Sequence, residues 1–471
     1  MKNKITMILW LINFGVLLNS GCTKGFLDAK PSSGILQPVT LDEFEKILDN
    51  FFNINRSCAL AVFASDEYHY SSDARWLAAT TPTARNSYIW AKDLYEGEES
   101  LHWNVPYTCI FYANNVLEGL SKIEVNGSNS SQYNSVKGTA LFSRAFAYYE
   151  LISNFAPIYD ASTASSDLGV PLRLKPSIDE VLPRSTVSQV YSQIFDDLSQ
   201  ALILLGPSIP AGRSRPSKAA VEALYSRIYL SIGDYSNAER HADACLKLYD
   251  KLIDYNTLNN TRVAPFPYNH DEQIYVKVAL NNVSYTTRGT ANGANTYIQI
   301  TSELINLYEA NDLRKSIYYV QQNDGSFDMK QGYAGPGIAP FTGLATDEIY
   351  LIKAECLARR NEITSSMEKL DQLKRTRWSP SITSPIKPYE NMTATDAKDA
   401  LAKVLLERRK ELVWRGLRWD DLKRLNKEGA GITLTRTVNG QNYSLSPRSP
   451  RYVFPIPDNE ISLSGIKQND R

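Results

Sequence analysis

The stretch "RPSKAAVEALYSRIYLSIGDYSNAERHADACLKLY", residues 215–249, constrains this chain more than any other. Apolar residues recur three and four apart on both sides of "IGDY", which predicts two amphipathic helices joined by a tight turn. Ala219, Ala220 and Ala223 on the first helix, and Ala238, Ala242 and Ala244 on the second, sit where the two must approach closely. A second pair lies at 346–377, where "TDEIYLIKAECLARRNE" runs into "TSSMEKLDQLKRTRW" with Asn361 at the turn. Long helical stretches at about 98–121 and 132–154 make a third. Their spacing is irregular and long insertions separate them. The chain is therefore expected to be mainly α, a scaffold of helix hairpins rather than a uniform solenoid.

The 215–249 pair resembles a tetratricopeptide unit, with a small-residue first helix, a "GDY" turn and "AxxxA" on the second helix. Further helices are expected around it. Thr40 caps one whose Leu41, Phe44, Ile47, Leu48 and Phe51 share a face, and Ser185 or Thr186 caps another over 187–205. Residues 53–97 look irregular and aromatic, and residues 256–300 and 323–343 have no helical period and are rich in Asn, Gly, Tyr and Pro. Loops that long in a compact protein are usually functional or disordered, and the aromatic content here favours function. The chain has 28 Tyr and 7 Trp, many of them in these segments. Flat amphipathic rings on loops suit a ligand with apolar faces and polar edges.

The first residues, "MKNKITMILWLINFGVLLNSGC", combine an opening Lys2 and Lys4, an apolar run from Met7 to Leu18 and a small-residue exit. That is the order of a secretory signal, and the run is too short for a permanent membrane helix. Cys22 after Ser20-Gly21 resembles a bacterial lipobox, in which the thiol is acylated and becomes the new N-terminus. Asn19 stands where that pattern usually has an apolar residue. Acyl chains contribute about 0.8 kcal/mol per buried CH₂, enough together for stable anchoring. Residues 1–21 are read as signal peptide and 22–40 as a lipidated tether.

Charge argues against nucleic acid. The 51 basic and 51 acidic side chains cancel, whereas a protein living on phosphate backbones carries a basic excess. No HExxH, GxSxG or Gly-rich phosphate loop occurs among the residues, so no enzyme is expected. Cys58, Cys109, Cys245 and Cys356 lack the spacing of a zinc site and are read as buried small hydrophobes. No metal and no cofactor is expected beyond the lipid on Cys22.

The chemically densest stretch is "LLERRKELVWRGLRWDDLKRL", residues 405–425. Helical spacing places Leu401, Val404, Leu405, Leu412 and Val413 inward and gives its arginines carboxylates within local reach. Gly416 suits a left-handed helix end, and Asp420 and Asp421 suit the first turn of the next helix. The cluster reads as architecture. It also closely resembles the signature of the SusD/RagB family of Bacteroidetes surface lipoproteins, on Glu407, Arg408, Glu411, Leu412, Gly416, Arg418, Trp419, Asp421, Leu422 and Arg424. Trp414-Arg415 departs from it, where the family usually has an acidic residue before the Gly. Further blocks agree in order: "CTKGFLDAKPSS", "RAFAYYELISNFAPIY", "PRSTVSQVYSQIFDDLSQAL", residues 215–243, and "FPIPDNEIS" followed by "IKQND".

The resemblance implies a tetratricopeptide-like scaffold carrying a variable, loop-rich lobe. The SusD-like domain would span residues 41–471, with an N-terminal part over 41–230 and a C-terminal part over 260–471. It implies a non-catalytic outer-membrane lipoprotein at the cell surface. Such a protein captures a glycan and delivers it to a SusC/RagA-like TonB-dependent barrel. The alternatives are peptide capture, as in the RagB branch, or a protein-interaction scaffold with no small ligand. Ligand contacts in the family come mostly from the variable lobe. Tyr68, Tyr70, Trp76, Tyr88 and Trp90 are the candidate rings, with Asp66, Arg75 and Arg85 as polar partners. Tyr285, Tyr297 and Tyr333 follow.

Overall fold

The computed structural model describes residues 38–177, 179–280 and 298–471. Its long helices are α1 (Leu41–Leu48), α2 (Leu101–Leu120), α3 (Ser130–Phe155), α4 (Val187–Leu204), α5 (Lys218–Ile232), α6 (Tyr235–Leu248), α7 (Thr346–Arg359), α8 (Ile363–Arg375), α9 (Ala397–Glu411) and α10 (Arg418–Lys427). The chain is helix-rich, as expected. Thr40 closes a capping box with Glu43 at the start of α1, and Thr186, not Ser185, caps α4.

The α5–α6 hairpin follows from its turn. Gly233 takes φ +82°, a left-handed conformation that glycine adopts without penalty. Asp234 then caps α6 by accepting from the Asn237 amide at 3.1 Å. Ala219, Ala220, Ala223, Ala238 and Ala242 are fully buried between the helices. Ala244 is only half-buried, and the thiol of Cys245 takes the inner place, against the Ala219 carbonyl at 3.4 Å. The α7–α8 hairpin repeats the device: Asn361 turns at φ +68°. A hydroxyl bonds a carbonyl of the facing helix in each hairpin, Ser226 to Ala238 at 3.1 Å and Ser366 to Ala354 at 2.8 Å. α3 packs against both α2 and α4, and α7 against α6 and α9.

Short strands join distant parts of the chain. β1 (Arg56–Ser57) runs parallel to β4 (Val278–Ala279). β2 (Tyr68–Tyr70) pairs antiparallel with β5 (Ile298–Ile300), Tyr68 opposite Ile300. β3 (Gln273–Tyr275) pairs with β8 (Leu344–Ala345), β6 (Tyr319–Gln321) with β7 (Phe327–Met329), and β9 (Leu434–Val438) with β10 (Gln441–Leu445). Residues 53–97, irregular in sequence, form short helices at Leu60–Ala64, Asp73–Leu77 and Pro82–Tyr88 packed into the main core.

The basic cluster of 405–425 is architecture, but its partners are mostly remote rather than local. Arg415 forks to Asp347 at 2.6 and 2.9 Å, Arg424 to Glu355 at 2.5 and 2.8 Å, and Arg418 to Asp66 at 2.7 Å. α9 buries a charged face: Glu407 and Glu411 meet Arg314 at 2.6 and 2.9 Å, and Glu411 also meets Arg377 at 2.7 Å. Planar two-pronged pairs of this kind fix orientation as well as distance. Cys58, Cys109, Cys245 and Cys356 are buried, as read from the sequence, and the structure shows them as free thiols.

Candidate functional site

Five of the candidate rings are interior side chains. Trp90 is 1% exposed and donates its indole N–H to the Ala64 carbonyl at 3.0 Å. Tyr68 gives its hydroxyl to the Phe63 carbonyl at 2.9 Å and packs on Tyr88 and Trp414 at 5.4 and 5.5 Å between centroids. Trp76 bonds the Arg85 carbonyl at 3.0 Å. Tyr333 donates to Glu272 at 2.6 Å beneath the Arg415 guanidinium, 3.6 Å from its ring centre. Arg436, reaching in from β9, occupies the space among the loop rings, 3.7 Å from the centre of Tyr88 and 4.7 Å from that of Trp90. Its N–H groups go to the carbonyls of Tyr88 and Ser65. Tyr68, Trp76, Tyr88, Trp90 and Tyr333 thus have no free face for a sugar. They are packing, and their expected role as stacking platforms is corrected.

The polar candidates are mostly engaged. Burial pushes the Asp66 carboxyl up, but Arg418 and Arg409 more than offset it and hold it down at about 2. Asp66 is thereby a permanent crosslink. Arg85 holds Glu96 at 3.0 Å. Tyr70 and Arg75 remain half-buried at the surface, Tyr70 edge-on to Tyr88 at 4.8 Å. Tyr285 and Tyr297, like Cys22, lie outside the described residues.

Beside this knot the structure opens a groove of about 510 Å³ that the ring-by-ring reading missed. β5 leads to it, because the Gln299 amide donates to Ser326 at 2.8 Å and so fixes the β6–β7 hairpin next to β2. Val263, Val320, Phe327 and Ile382 give the groove an apolar floor, and Asn260, Thr261 and Gln321 line its polar parts. Lys315 sits 5.4 Å over the half-buried Phe327 ring. Lys330 has its ammonium pushed down to about 8 by burial, and it donates to the Ser316 carbonyl at 2.6 Å and to that of Asn260. Such an apolar floor with a few converging donors holds a small molecule by shape and edge contacts. Segment 323–343 was singled out in sequence for its aromatic, Gly-rich composition. Within it "SFDMK" alternates with period two, a strand signal that marks Phe327.

The one carboxylate lining the groove among the described residues, Asp312, is locked to Arg314 at 2.6 Å. His102 and His270 are buried elsewhere with imidazoles pushed down to about 3 by loss of water. Among the described residues no group of three or more His, Cys, Asp or Glu is assembled that holds a metal ion.

Comparison with known proteins gives a consistent result. A family profile described as "Starch-binding associating with outer membrane" matches residues 25–230, and one described as "SusD family" matches residues 346–470. The chain is 26% identical over 419 residues to SusD-like protein P2 of Formosa agariphila, covering 78% of each. Its fold is similar to that of a SusD superfamily protein of Bacteroides thetaiotaomicron, with TM-score 0.72 and 21% identity over 92% of this chain and 100% of that one. It is also similar to a SusD-like carbohydrate binding protein of Bacteroides vulgatus, with TM-score 0.66 and 20% identity over 90% and 97%.

Proposed function

The chain belongs to the SusD family, and from that premise we propose that it is a non-catalytic surface protein that captures a glycan and passes it to a TonB-dependent outer-membrane transporter, held to the membrane by a lipid on Cys22. The observation that carries this reading is the groove at β6–β7. Its apolar floor suits the CH faces of a sugar ring, Phe327 offers a half-buried ring to stack on, and the neighbouring donors suit hydroxyl edges. Weak, shape-based contacts of this kind favour release to a transporter over retention.

Affinity electrophoresis of the mature chain through a glycan panel tests the reading. At least one polysaccharide is expected to retard wild type, and Phe327→Ala is expected to weaken that retention about tenfold while the melting temperature stays near wild type. Retention by no glycan, together with retention by a peptide panel, would move the chain to peptide capture. Equal retention of Phe327→Ala would remove the groove from the site. Copurification with a barrel protein tests the transporter half independently.

A further inference from the structure

A second opening among the described residues exceeds the groove in volume. A cleft of about 770 Å³ lies between the loop after α3, the C-terminal turn of α10 and the last residues of the chain. Five cations line it: Arg184, Lys423, Lys427, Arg448 and Lys467. Two are answered, Lys423 by Asp420 at 2.7 Å and Lys427 by Asp160 at 3.2 Å. The other three have no ion-pair partner among the described residues. Arg184 spends its N–H groups on main-chain oxygens, those of Gly169 at 2.7 Å, Lys467 and Leu168 at 2.9 Å and Phe155 at 3.3 Å. Those carbonyls hold it in place without cancelling its charge, and burial pushes its guanidinium down to about 10. Arg448 and Lys467 are exposed at the rim. Asp167, which accepts from the neutral Thr163 hydroxyl at 2.6 Å, and the exposed Asp470 also line the cleft without an ion-pair partner among the described residues, so the cations outnumber the acids there without standing alone.

We propose that this cleft is a second sugar site, separate from the groove, that takes the anionic group of an acidic oligosaccharide. The proposal rests on the glycan reading above and deepens it. Arg184 is a fixed, uncompensated cation that an oxyanion would complete, and Arg448 and Lys467 add charge where the ligand enters. The cleft is too large for a bare oxyanion. Its uncharged lining, Ser166, Ser449 and Gln468 beside Pro157 and Pro450, matches hydroxyls and CH faces rather than a second charge. A uronate carboxylate and a sulfate ester share the required chemistry.

Calorimetric titration of the full mature chain distinguishes them. The probes are trigalacturonate, a sulfated galactotriose, neutral galactotriose and sodium sulfate. One of the two acidic trisaccharides is expected to bind at least tenfold tighter than the neutral one, more weakly as salt rises. Arg448→Asn with Lys467→Gln, both at exposed positions, is expected to remove at least tenfold of that affinity. Asn suits Arg448 because it tolerates the φ of +63° found there. Phe327→Ala is expected to leave acidic binding unchanged. Equal affinity for neutral and acidic trisaccharides, or an unaffected double variant, would overturn the proposal while leaving groove retention standing. Full competition by sulfate at the same affinity would also overturn it, reducing the cleft to a bare-anion site. Loss of groove retention alone would strike the earlier reading instead.

Discussion

At the scale of the residue, Trp90 and Glu67 make sharp tests. Trp90 is enclosed by Arg436 and bonded to Ala64, so truncation leaves a cavity and leaves the Ala64 carbonyl only the longer Arg436 contact at 3.4 Å. Trp90→Ala is expected to cost about 3–5 kcal/mol, read from urea unfolding. A melting temperature near wild type would show that the ring is not core. Glu67 is buried, and loss of water, then the neighbouring Asp66 charge, raises its carboxyl to about 7. The unfolded value is about 4.3. A raised folded value stabilises below the unfolded pKa and is lost as pH rises through about 7. Wild type should therefore lose stability between about pH 4 and pH 7 and level off above that. Glu67→Gln, which keeps an acceptor for the Trp414 amide, should flatten that decline. Glu272, also raised to about 7, leaves some slope behind. Superimposable profiles would refute the assignment. These residues also mark where reading a sequence fails. Composition reported rings in a loop, but the guanidinium that fills the space among them arrives from residue 436, and nothing local announces it.

At the scale of the element, backbone shape separates two glycines. Gly416 takes φ +71°, and an added methyl would find nothing closer than 3.8 Å. Gly416→Ala should therefore cost only the left-handed backbone penalty, about 1–2 kcal/mol. Gly119 on α2 faces α1, where a methyl would fall 2.2 Å from the Phe44 ring. Gly119→Ala should cost more than Gly416→Ala in urea titration, and Phe44→Leu should recover part of it. The reverse ranking would refute the α1–α2 packing. The hairpins were legible because alanine spacing and the Gly233-Asp234 turn encode close approach locally. The charged cluster of α9 and α10 was legible as architecture but not in its pairings. Helical spacing supplied only near neighbours, whereas Arg415 and Arg424 cross to α7, tens of residues away. The groove was partly legible: its segment stood out, yet its floor combines residues near 263, 320 and 382 that only folding assembles.

At the scale of the whole molecule, closure depends on the last residues. Tyr95 donates to the Pro455 carbonyl at 2.7 Å, Trp419 stacks on Phe454 at 5.5 Å, and Asn469 holds the carbonyls of Phe155 and Phe454 at 2.8 Å. A chain ending at Lys427 should retain helical signal but lose a cooperative thermal transition, because Arg436 and these contacts go together. A sharp transition in that truncation would refute the coupling. Cys22→Ser is expected to move the protein from the membrane pellet to the soluble fraction, and continued sedimentation with membranes would remove the lipid from the reading.

The parallel pairing of β1 with β4 joins residues 56–57 to residues 278–279. A ribosome delivers the second of these more than two hundred peptide bonds after the first. The opening segment must therefore wait, unpaired, while most of the polypeptide is made, and contacts this far apart in order of synthesis form slowly. Such a chain is one that a holding chaperone should recognise early and release late.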